Sequence, residues 1–181
     1  AQGIRFARLR LTFLFEGHPY RRVICMGIGL AAAMLLLHGG RYAGTGENLI
    51  ELGFSGGTLY WYDWILKAAL TILTLASGFI GGEVAPLFCI GTCLGSVLSP
   101  LLGLPPEFVM ALGYAAVFGS GTNTLLAAIM IGAEVFGYGM VPYFFVTCGT
   151  AYLFNWNKSI FTSQWKSPRR YFRHVQRREK I

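Results

Sequence analysis

The chain has 181 residues, 54% hydrophobic and only 13% charged, with 24 glycines, a mean hydropathy of +0.52 and a net charge of +7. That balance is too apolar and too glycine-rich for an ordinary soluble domain of this length. The charge could suggest nucleic acid, but it is segregated to the two ends, and the basic tail offers only Tyr171 and Phe172 as aromatic partners, so no nucleic-acid role is expected.

Residues 1–22 form a basic arm carrying Arg5, Arg8, Arg10, Arg21 and Arg22. The first strongly apolar segment, 23–37, follows it without a small-residue cleavage site, which argues against a signal peptide. A polar turn, 38–46, leads to a short piece, 47–54, that cannot cross a bilayer unaided. Residues 61–77 predict a long helix whose Trp61, Tyr62 and Trp64 read as an interfacial aromatic anchor. Helices follow over 86–102, broken by Leu104-Pro105-Pro106, and over 107–118, broken by Gly119-Ser120-Gly121. Residues 122–136 and 142–154 complete the set, with Gly137-Tyr138-Gly139 between them.

Residues 84–106, 108–133 and 135–157 contain no Asp, Glu, Lys or Arg and read as transmembrane. A basic tail, 164–181, closes the chain with Lys166, Arg169, Arg170, Arg173, Arg177, Arg178 and Lys180. With positive charge at both ends, both termini are expected in the cytoplasm. The plan is therefore a membrane-embedded part, 23–163, between two basic flanks.

Several apolar segments fall short of the ~20 residues that span hydrocarbon. Broken helices at membrane depth are tolerated where they are buried in protein or line a polar cavity, a recurrent device of transporters. Gly91 and Gly95 form a G-x-x-x-G pair suited to close helix packing.

The segment that carries most chemistry runs from Gly78 to Gly91. Gly81 and Gly82 allow unusual dihedrals and close approach to a ligand. Pro86 suits a first helical position and biases Ala85 toward an extended conformation outside the helix. The amides of Glu83 to Leu87 then sit at the positive end of a helix dipole with few carbonyl partners, where an anion could satisfy them. Cys25, Cys89, Cys93 and Cys148 lie in apolar surroundings without a Cys-x-x-Cys pair and read as small buried hydrophobes; no metal site or cofactor is expected. Residues 135–139 echo a potassium filter, but Glu134 stands where threonine is needed. Glu134, a carboxyl in an apolar helix, suits a helix-end or subunit contact. No nucleophile–base pair or nucleotide loop suggests an enzyme.

The run Gly81-Gly82-Glu83-Val84-Ala85-Pro86-Leu87-Phe88 with Ile90-Gly91 resembles the anion-site signature of the CLC family of chloride channels and proton-coupled anion antiporters. Upstream, Gly44-Thr45-Gly46-Glu47-Asn48-Leu49-Ile50 is similar to the family's glycine-rich stretch, and Ser159-Ile160-Phe161-Thr162 falls where its last helix begins. The resemblance spans most of residues 20–165. It implies an all-α polytopic membrane protein with broken and re-entrant helices, one half of an inverted-repeat subunit that is usually a homodimer. This chain matches the second half only, leaving the first half missing, split off or carried on another chain.

Gly-Gly-Glu-Val resembles the fluoride/proton antiporter branch. The resemblance implies a bacterial inner-membrane protein that exchanges fluoride for protons or moves chloride, with the anion at Gly81, Gly82, Glu83, Val84 and Ala85. Glu83 has a protonatable carboxyl for proton linkage or selectivity; its plain alternative is to cap its own helix. Phe161 stands where the family generally offers a tyrosine hydroxyl. Its ring edge could face a halide, or it serves as pore wall or packing. From another class, a non-transporting membrane scaffold would use the broken helices for packing alone.

Overall fold

The computed structural model describes residues 19–79, 81–155 and 159–161, and among these every regular element is helical. Helix α1 spans Pro19–Leu36, α2 Glu47–Phe54, α3 Asp63–Ser77, α4 Ala85–Leu102, α5 Pro106–Thr122, α6 Leu125–Phe136 and α7 Val141–Phe154, with a 3₁₀ turn at Tyr138–Met140. Of these, α4 alone is both long and apolar enough to cross a membrane by length and composition. The outer faces are nonetheless apolar: Leu36, Leu101, Leu126, Leu153 and Phe154 are all exposed.

Helix ends follow local chemistry. Past α1, His38, Gly39 and Gly40 take positive φ, and the amides of Gly39 and Gly40 donate back to the carbonyls of Leu35 and Met34. Gly78 and Gly103 end α3 and α4 in the left-handed region. Pro100 lies inside α4 and has no N–H for the carbonyl of Ser96, four residues back. The Ser99 hydroxyl donates to that carbonyl at 2.9 Å, so the helix continues with its acceptor satisfied. Thr71, Thr74, Ser77, Thr92 and Thr122 likewise donate to carbonyls four residues earlier, which solves the same problem for hydroxyls on apolar helices.

The expected break at Gly119-Ser120-Gly121 is absent: α5 runs through it to Thr122 and stops at Asn123, whose φ is 62°. Both glycines serve packing instead. A Cβ at Gly119 would fall 2.7 Å from Ala128 Cβ, and one at Gly121 would fall 2.7 Å from Leu87 Cδ1. At the heart of the fold α4 and α5 pack with their backbones in contact. A Cβ at Gly91 would overlap the Gly113 carbonyl, one at Gly113 would overlap the Gly91 carbonyl, and one at Gly95 would sit 2.6 Å from the Val109 carbonyl oxygen. Around this seam, Ala111, Ala115, Ala128, Phe144 and Cys148 form one buried cluster, and Leu49, Tyr42, Leu70, Cys89 and Cys93 another.

Candidate anion site

Helix α4 starts one residue earlier than proline preference suggests. Ala85 is already helical and Pro86 is second, with Val84 at φ −83°, ψ −50° as the cap. The bias against helical geometry before proline is steric, and the small side chain of Ala85 accommodates it. Leu87 spends its amide on the Val84 carbonyl at 2.9 Å, which removes it from the set of open donors. The amides of Glu83, Val84 and Ala85 precede the first full helical turn, where intrahelical acceptors run out; Pro86 has none to offer.

Gly81 and Gly82 are exposed and do not take positive φ, contrary to the unusual dihedrals expected, and a Cβ on either would meet nothing within 4 Å. Their significance is spatial: with the buried Pro86 they line a cavity of about 280 Å³ that also reaches Tyr42, Gly44 and Lys67. Glu83 and Ala85 are half-buried, and Val84 packs on the larger apolar cluster.

Phe161 is 44% exposed. Its segment docks on the end of α5: the Ile160 amide donates to the Gly121 carbonyl at 2.9 Å, the Ser159 hydroxyl to the Thr122 carbonyl at 3.1 Å, and Asn155 Nδ2 to the Ser120 carbonyl at 2.8 Å. These donors satisfy carbonyls left open at the helix end. Because Gly121 also abuts Leu87, the segment bearing Phe161 and the first turn of α4 share α5 as a common neighbour. Residues 159–161, where the last helix is expected to begin, are not helical, and the rest of that helix lies outside the described residues; Glu134 is exposed on α6.

Sequence patterning missed a polar network that reaches the cavity through Tyr42 and Lys67. Asp63, fully buried in the first turn of α3, accepts from Arg41 Nη2 at 2.7 Å, from the Tyr60 amide at 2.9 Å and from the Tyr42 hydroxyl. Arg41 also lies 4.9 Å over the Tyr60 ring. Lys67, one turn further along α3, donates through Nζ to the carbonyls of Tyr42 at 2.9 Å and Gly44 at 2.8 Å. The glycine-rich stretch builds this cradle. Gly46 has φ 98°, and a Cβ there would strike Cys89 Sγ at 2.7 Å and Lys67 Cε at 2.9 Å. The available signal was Asp63 and Lys67 themselves, ionisable groups within an otherwise apolar helix.

The family profile described as "Voltage gated chloride channel" matches residues 3–155. A chloride/fluoride channel protein of Pseudomonas syringae pv. tomato is 39% identical over 124 residues, covering 68% of this chain and 27% of the relative. An H(+)/Cl(-) exchange transporter ClcA of Yersinia pestis bv. Antiqua is 28% identical over 149 residues, 74% of this chain and 31% of that protein. Among solved structures, a CLC-type fluoride/proton antiporter superposes with a TM-score of 0.85 at 46% identity, over 89% of this chain and 40% of the other. The chain thus spans well under half the length of these relatives. With most of its length inside the family profile and this helix arrangement, the chain belongs to the voltage gated chloride channel (CLC) family and has its all-α, polytopic membrane fold.

Proposed function

We propose that this chain forms the second half of a CLC-type anion transporter that exchanges fluoride for protons, with both basic ends cytoplasmic in a bacterial inner membrane. Residues 23–163 are its membrane-embedded part. The amides of Glu83 and Val84 hold the anion, Gly81, Gly82 and Ala85 leave it room, and Phe161 bounds the site. Glu83 tunes anion preference or proton linkage. The other half of the pathway comes from the first half of the subunit, in a homodimer of complete subunits. The observation that carries this reading is the diglycine and Pro86 of α4 lining one partly open cavity with Tyr42 and Lys67, in a chain 46% identical to a fluoride/proton antiporter over the aligned region.

Glu83→Gln keeps the size of the side chain and removes its charge. It is expected to change the fluoride/chloride preference or to uncouple proton movement in liposome flux assays, with assembly intact on size-exclusion chromatography. Unchanged selectivity and coupling would return Glu83 to the role of helix cap.

A further inference from the structure

Lys67 lies in the second turn of α3 and is 2% exposed. Its ammonium is held by two neutral carbonyls, which occupy two of its three N–H donors and bring no counter-charge. No carboxylate among the described residues lies in ion-pair range of it; Asp63, on the same helix, is committed to Arg41, Tyr42 and the Tyr60 amide. A buried cation is costly unless something negative meets it. The same side chain lines the cavity of about 280 Å³ that Gly81, Gly82 and Pro86 also line. That volume has room for a halide with several of its waters.

We infer that Lys67 forms a second halide subsite in this cavity, ahead of the backbone-amide site, with its third N–H donating to the ion. The inference rests on the anion-transport reading above and deepens it. The cradle suits the task. Gly44 and Gly46 take φ of 63° and 98°, which shapes the loop over the lysine, and Tyr42 is anchored through its hydroxyl to Asp63. The ammonium is therefore fixed before an ion arrives, and little freedom is lost on binding. The competing partner is Cys89, which flanks the Lys67 stem at the point a Gly46 Cβ would fill and brings negative charge only as a thiolate.

Two measurements on the full chain in detergent, assembled with the complementary half, test this. In the unaltered protein, acylation by acetic anhydride, located by mass spectrometry, is expected to slow at Lys67 when fluoride or chloride replaces gluconate, and to stay constant at Lys166 and Lys180. The protection should persist in Cys89→Ser. In titration calorimetry, Lys67→Met is expected to weaken halide binding by about tenfold or more, as loss of a charged hydrogen bond implies, with Lys67→Arg recovering most of it. Equal acylation in all anions, loss of protection in Cys89→Ser, or unaltered affinity in a well-assembled Lys67→Met would each overturn the subsite. If halide flux nevertheless persists in those same preparations, the transport reading stands and only the subsite falls; absence of both flux and halide binding in the unaltered protein overturns the two together.

Discussion

Gly91→Val is expected to abolish the folded protein. A side chain at position 91 would have to occupy the space of the Gly113 backbone carbonyl and come within 3.1 Å of Tyr114 Cα. Backbone cannot move aside as a flexible side chain can, so α4 and α5 must separate along the seam that Gly91, Gly95 and Gly113 create. Overpacking of a yielding core costs about 1–3 kcal/mol; here the obstruction is rigid and the cost should exceed that range. A membrane bundle depends on such close packing because lipid supplies no hydrophobic drive between helices. Size-exclusion chromatography of detergent extracts should show aggregate or no monodisperse protein. Gly29→Ala, whose added Cβ meets nothing within 4 Å, should be indistinguishable from the parent. A monodisperse Gly91→Val protein of parental thermal stability would mean that α4 and α5 do not pack this way.

Gly82→Val should have the opposite signature: assembly preserved, transport lost. Gly82 has an ordinary φ and open space around its missing Cβ, so valine adds no strain to the fold. It does add volume in the cavity, at the approach to the amides before α4. An anion kept from those donors loses the hydrogen bonds that offset its dehydration, at about 1–3 kcal/mol for each bond not made. Two such bonds, about 2–6 kcal/mol, amount to roughly 30-fold or more in occupancy, at roughly tenfold per 1.4 kcal/mol. Anion efflux should fall to background while the elution profile stays that of the parent. Parental efflux from this variant would reduce the diglycine to a connecting loop.

Much of the helical layout was legible because it depends on local signals. The short α2 was read with the observed bounds, Glu47–Phe54, and α4 and α7 start within one residue of the positions that Pro86 and Pro142 suggest. The Gly91/Gly95 pair was legible for the same reason: a spacing of four places both residues on one face. Gly119 and Gly121 misled because glycine has two uses. It loosens a helix in water, but here it admits Ala128 and Leu87 against an unbroken α5. The polar cradle was hidden because its members are joined by tertiary contact, with Tyr42 and Asp63 21 positions apart and Lys67 and Tyr42 25 apart. Only the folded loop between α1 and α2 brings them together. In the site itself, the glycines and the start of α4 could be read from sequence; the loss of Leu87 as an open donor and the contribution of Tyr42 and Lys67 to the cavity could not.

Reconstitution bears most directly on anion transport. The chain, assembled with the complementary half that its longer relatives carry, is placed in liposomes, and fluoride and chloride efflux are recorded together with proton movement. Fluoride efflux accompanied by proton movement in the opposite direction, and absent from both empty liposomes and the Gly82→Val variant, is the expected result. A well-assembled protein that releases neither anion faster than empty liposomes would contradict it and leave the broken helices with a packing role alone.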